Sequence, residues 1–183
     1  MPATKRRSPL APGVPRTGQK TRPAVKPASG VAPLRAVAAV QLFDFRQVYL
    51  AASAARISVI RRGVLARAVG ELAASMKTSE DELIRRLGLK HTTVSRKVEV
   101  GRRLSPEQSE RIVGLARLIG QVQTIVQQSG EPERFDAAIW VGNWLSHPNP
   151  ALGGQHPGEF LDTIEGLGLL GSLIARMQSG AYA

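Results

Sequence analysis

The stretch Glu80–Val98, EDELIRRLGLKHTTVSRKV, decides how the chain folds. Ser79 stands before it as an N-cap, and Glu80, Asp81 and Glu82 put acids in the first turn, where the helix dipole favours negative charge. The helix so opened carries Leu83, Ile84 and Leu87 and stops at Gly88, a residue suited to the left-handed position after a helix. A second helix runs from about His91 to Val98. With only Gly88, Leu89 and Lys90 between them, the two must cross steeply. Leu83, Leu87, Leu89, Val94 and Val98 then form a small shared core, leaving His91, Thr92, Thr93, Ser95, Arg96 and Lys97 on the outer or end faces of the second helix.

Helical spacing continues on both sides. Leu34 to Arg56 is Ala-rich and helical over its later part, and Val64 to Met76 places Leu65, Val69, Leu72, Ala73 and Met76 on one stripe. Ser105-Pro106-Glu107-Gln108 combines a cap, a proline at the first helical position and a glutamine at the capping-box position. The helix it opens buries Ile112, Leu115, Ala116, Leu118, Ile119, Val122 and Val126. Phe135 to Leu145 and Leu167 to Met177 complete an all-α reading, in keeping with a core of Leu, Val, Ile and Ala and only 4% aromatic residues.

Charge divides the chain. Residues 1 to 35 carry eight Lys and Arg and no acid, set among prolines and glycines without apolar period, so an arm over 1–33 is expected to be disordered, either a DNA-seeking polycation or an inert solvated tail. From Arg85 to Arg103 seven bases face the single acid Glu99, whereas from Gly130 onward Arg134 and Arg176 face six acids. Two surfaces of opposite sign suit two different partners. No cysteine is present, which excludes disulfides and thiol chemistry and points to a reducing cytoplasm, and no apolar run is long enough to span a membrane.

The first stretch resembles an Xre-type helix-turn-helix. The last third, RRLSPEQSERIVGLARLIGQVQTIV followed by AAIWVGNWLSHPNPALGGQHPGEFLDTIEGLGLLGSLIARMQSGAYA, resembles the toxin-binding domain of the MbcA/ParS/Xre antitoxins. The matching residues are Leu104–Arg111, Trp144-Leu145, Asn149–Gly154, Pro157, Leu161-Asp162-Thr163, Gly166 and Gly180. The resemblance covers about Ile57 to Ala183; with the helical segment before it the chain divides into a helix-turn-helix domain over 34–104 and a small helical toxin-binding domain over 105–183, and the resemblance implies two partners, operator DNA and a cognate toxin of RES-domain or ADP-ribosyltransferase-like chemistry that consumes NAD. A homodimer is expected because one short helix reads too few base pairs for an operator, and the resemblance implies occlusion of the toxin's active site and control of the chain's own operon. Within it, Lys90, His91, Thr92, Thr93, Ser95, Arg96 and Lys97 are the DNA-binding candidates: hydroxyls for either kind of base edge, Arg96 for guanine, Lys90 and Lys97 for phosphates. The alternative is a transcriptional regulator whose C-terminal domain only dimerises.

The connector WLSHPNPALGGQHPGEFLDT, Trp144–Thr163, reads as a structural corner. Trp140 and Trp144 share a helical face, Pro148 and Pro150 end that helix, and Gly153 and Gly154 permit a tight reversal. Pro157 restarts a helix that returns Phe160 and Leu161 to the core. Trp144, Asn149, Leu152, Gly153, Gly154 and Pro157 are thus structural. His91, His147 and His156 form no cluster, the double glycine lacks a following Lys-Ser or Lys-Thr, and no nucleophile has a placed base, so no catalytic residue, metal or cofactor is expected. The final helix should stop at Gly180. An aromatic beside a terminal carboxylate resembles a flat-ring diphosphate ligand in shape and sign, and the family resemblance, in which the C-terminal region covers the toxin's active site, implies toxin binding by Arg176, Met177, Tyr182 and Ala183.

Overall fold

The computed structural model describes residues 41–130 and 135–178. The expected arm over 1–33, the stop at Gly180, and Tyr182 and Ala183 lie outside them. The described residues are all helical apart from connections: α1 Phe45–Leu50, α2 Ser53–Arg62, α3 Ala68–Ser75, α4 Glu80–Arg86, α5 His91–Glu99, α6 Pro106–Ser129, α7 Ala137–Leu145 and α8 Ile164–Gln178, with 3-10 turns at Pro150–Leu152 and Pro157–Phe160.

Helix α6 is the spine. Its start is fixed as expected: Ser105 Oγ accepts from the Gln108 amide at 3.3 Å while Gln108 Oε1 accepts from the Ser105 amide at 3.1 Å. Along its 24 residues Ile112, Val113, Leu115, Ala116, Leu118, Ile119 and Val122 are buried, and one continuous core runs from Val48 through Leu72, Leu83 and Val94 to Leu145, Leu161 and Ile174. Helices α1, α2, α7 and α8 all pack on it. Ser109 Oγ, fully buried, accepts from the Val64 amide at 2.9 Å and ties the spine to the segment before α3.

Four expected elements differ in extent, each for a local reason. The Ala-rich first helix breaks at Ala51 and Ala52, where the backbone is extended; the Arg56 guanidinium donates to the carbonyls of Val48, Tyr49 and Ala51, answering the open end of α1. The Val64–Met76 stripe is helical only from Ala68, because Val64 to Ala66 give their backbone groups to an isolated antiparallel bridge between Leu65 and Arg103. Helix α7 starts at Ala137, since Asp136 Oδ1 accepts from the amides of Ala138 and Ile139. Pro157 opens only a 3-10 turn, and α8 begins separately at Ile164, with Thr163 Oγ1 accepting from the Gly166 amide at 3.0 Å. Leu161 returns to the core fully buried as expected, whereas Phe160 is half-buried.

Close approach explains some helical glycines. A Cβ on Gly142 would press into the Met76 carbonyl oxygen, while a Cβ on Gly168 of α8 would meet nothing. Gly142→Ala is therefore expected to destabilise by about 1 to 3 kcal/mol through overpacking, and Gly168→Ala to stabilise by roughly 0.5 to 1 kcal/mol through helix propensity. Urea unfolding of the two variants should give shifts of opposite sign; equal shifts would contradict the packing.

Candidate functional site

The turn between α4 and α5 forms as the sequence predicts. Ser79 Oγ caps α4, Gly88 takes φ +59°, and Leu83, Leu87, Leu89 and Val94 are buried. Val98 is the exception. It is 39% exposed, because the chain leaves the helix at Val100 and Gly101 and the last turn of α5 projects past the core that encloses Val94.

Of the DNA-binding candidates, Lys90, His91, Thr92 and Arg96 are exposed and Thr93, Ser95 and Lys97 half-buried, all on or at the start of one nine-residue helix. Lys90 supplies no capping oxygen, so the first amides of α5 have no side-chain acceptor and face outward at the positive end of the helix. His91 Nε2 lies 3.0 Å from Asp81 Oδ1, and its Nδ1 is 3.4 Å from Ser95 Oγ, which orients the ring at the tip of the helix. Lys97 Nζ donates to Gln108 Oε1 at 3.2 Å and leans on the start of α6.

The corner is built by hydrogen bonds within itself. Asn149 Oδ1 accepts from the Ala151 amide, the Asn149 carbonyl accepts from the Gly154 amide, and Gly153 and Gly154 take φ of +65° and +84°. His147 Nδ1 meets the Asn143 carbonyl at 2.7 Å and His156 Nδ1 the Ser146 carbonyl at 3.0 Å. A carbonyl only accepts, so each Nδ1 carries the proton and each ring satisfies the C-terminal end of α7. Among the described residues no group of His, Asp or Glu could hold a metal ion, and no helix is long and apolar enough to cross a membrane.

The corner also clasps the helix-turn-helix, a link the sequence pattern does not display. Arg86, its side chain 14% exposed, reaches Glu82 Oε1 at 2.6 Å and donates to Ser146 Oγ at 3.0 Å. Arg111 donates to the carbonyls of Leu87 and Gly88 at 2.8 and 3.2 Å. Burial works to raise the Glu82 carboxyl, but hydrogen bonds and charge from Arg85 and Arg86 outweigh it and hold it below the usual glutamate value. A carboxyl lowered by folding contributes stability above its unfolded value and loses it as pH falls through the folded one, so this clasp weakens in acid.

On the C-terminal side, Phe135, Trp140 and Trp144 form an aromatic ladder. Trp140 and Trp144 stack at 5.8 Å with 12° between planes, and Phe135 lies 6.3 Å from Trp140. The two indoles share a face as expected but are half-buried, and Trp144 Nε1 is enclosed without an acceptor. Met177, 42% exposed, lines with Val126, Phe135, Trp140 and Ile174 an apolar groove of about 230 Å³ at the end of α8, beside exposed Arg176.

A fold with an exposed second helix after a tight turn, and a further helical unit locked to it, defines a helix-turn-helix protein with an appended binding domain. Residues 55–117 match the family model of the antitoxin Xre-like helix-turn-helix domain, and residues 134–180 that of the antitoxin Xre/MbcA/ParS C-terminal toxin-binding domain. The chain is 40% identical over 141 residues, 77% of its own length and 89% of the relative's, to the Prs ADP-ribosylating antitoxin of Sphingobium sp. (strain YBL2). The chain belongs to the Xre/MbcA/ParS antitoxin family.

Trp144→Ala removes one member of the ladder and is expected to cost about 3 kcal/mol, the low end for a large aromatic because the ring is only half-buried. Chemical unfolding followed by Trp140 fluorescence checks it; an unchanged midpoint would mean that the stack contributes nothing to the fold.

Proposed function

We propose that the chain is the antitoxin of a toxin–antitoxin pair, without enzymatic activity of its own, which neutralises an NAD-consuming toxin of RES or ADP-ribosyltransferase-like chemistry by covering its active site, and which binds the operator of its own operon. The observation that carries this reading is the pairing, on one core, of the uncapped and exposed start of α5 with a C-terminal helix that ends in exposed Arg176 and Met177. The name of the Sphingobium relative supports the antitoxin part.

For DNA, Thr92 and Arg96 are exposed where a major groove would receive the helix, and the first turn, which has no side-chain cap, offers the amides of His91 and Thr92 to phosphate. One nine-residue helix reads too few base pairs for an operator, so binding as a homodimer to paired half-sites follows. For the toxin, a site that takes NAD offers a slot for a flat ring and donors for a diphosphate. Tyr182, a few residues beyond Met177, suits the slot, and the acidic character of the C-terminal third favours approach to a basic cleft.

Two experiments test the two halves. Arg96→Ala should relax operator preference by about 1 to 3 kcal/mol if the guanidinium holds a guanine; full retained preference in a gel-shift titration would remove α5 as the reading helix. Deleting residues 180 to 183 should spare folding while releasing toxin activity in cells that co-express the neighbouring toxin. Undiminished protection by the truncated chain would place occlusion elsewhere. Failure of the full chain to copurify with any product of its operon would favour a regulator whose C-terminal domain only dimerises.

A further inference from the structure

The isolated bridge between Leu65 and Arg103 brings together arginines that are far apart in sequence. Leu104 donates its amide to the Val64 carbonyl at 2.8 Å, and Ala66 donates to the Arg102 carbonyl at 3.0 Å. Arg62, Arg67 and Arg103 thereby line one cleft of about 360 Å³, walled on its apolar side by Leu42 and Phe43. Arg103 is held in place by one donor, its Nη1 reaching the Gly63 carbonyl at 2.7 Å, and the rest of its guanidinium fork stays available. The acid in the cleft is Glu71, which meets Arg67 at 3.5 Å with both side chains more than half exposed, a pair of little strength. The balance is strongly positive.

Basic residues in the last turn of a helix have a bland explanation, since Arg61 and Arg62 complement the negative end of the α2 dipole. That does not account for Arg67, which precedes α3, or for Arg103, which follows α5. The same backbone rung also runs directly into the reading helix: the Arg102 amide donates to the Lys97 carbonyl at 2.7 Å. Through that bond the cleft of Arg62, Arg67 and Arg103 adjoins the C-terminal end of α5.

We infer that Arg62, Arg67 and Arg103 are a phosphate clamp, which holds the sugar–phosphate backbone of duplex DNA beside the stretch read by α5. Three clustered guanidinium groups suit a strand that carries one phosphate for every ~3.4 Å of duplex axis, and such contacts fix register without reading sequence. The inference rests on the proposal that α5 reads DNA, and it assigns to the cleft the positioning of the backbone beside that helix.

The test is a salt titration of the full-length protein on a duplex taken from immediately upstream of its own coding sequence. Arg62→Gln with Arg67→Gln should lower the slope of log K against log salt by about 2, near 0.9 for each lost phosphate contact, and leave sequence preference as it was. Arg46→Gln with Arg117→Gln removes the same charge at exposed positions outside the cleft and should leave the slope unchanged. Arg62→Lys with Arg67→Lys should restore it, and thermal melts of each variant report folding separately. An unchanged slope in the Arg62/Arg67 variant, or an equal drop in the Arg46/Arg117 variant, overturns the clamp while leaving the reading helix intact. Absence of binding to any duplex by the native chain overturns both.

Discussion

Helix α6 is covered by neighbours along most of its length, and the rest of the molecule depends on that burial. Its first two turns hold the segment before α3, through Ser109 to the Val64 amide, and the helix-turn-helix, through Arg111 to the carbonyls of Leu87 and Gly88. Its second half receives α1, α7 and α8, with Gln121 donating to the Gly171 carbonyl at 2.9 Å from inside the core. A helix enclosed in this way cannot carry side chains where a neighbour's backbone arrives. Gly120 lies directly under the Phe45 carbonyl, so this glycine of low helix propensity sits inside a 24-residue helix for a packing reason, whereas a Cβ at Gly114 would meet only the side chain of Leu167.

The consequence for function is that the two halves of the chain are not beads on a linker. The turn before α5 and the corner after α7 touch through Arg86 and Ser146, and a Cβ on Gly88 would lie 3.0 Å from that of Asp162. The helix proposed to read DNA and the helix proposed to meet the toxin thus share one continuous core. The acid-sensitive Glu82 belongs to this junction and to neither proposed binding surface, so its titration bears on the joint.

The sequence displays most of the fold because its signals are local. Ser79 with three following acids, Ser105-Pro106 with Gln108, and Gly153-Gly154 each act within a few residues, and each forms as read. What is not legible depends on partners far along the chain. Nothing near Leu65 announces a bridge to Arg103, and nothing near Lys97 announces Gln108 as its acceptor. Val98 has the same apolar character and spacing as Val94, and only the end of the helix decides that one is buried and the other is not. The same holds for the site. Its exposed hydroxyls and Arg96 are visible as a pattern, whereas the arginine cleft exists only after residues about 40 apart have met.

Binding of DNA at α5 and of a toxin at α8 can be separated by hydrogen–deuterium exchange of the full-length protein alone, with its upstream duplex, and with the protein that copurifies with it. The account predicts that the duplex slows exchange in His91–Glu99 and that the protein partner slows it in Ile164–Gln178, each leaving the other helix nearly unchanged. Protection of the same helix by both ligands, or protection by the protein partner confined to α1 and α2, would contradict it.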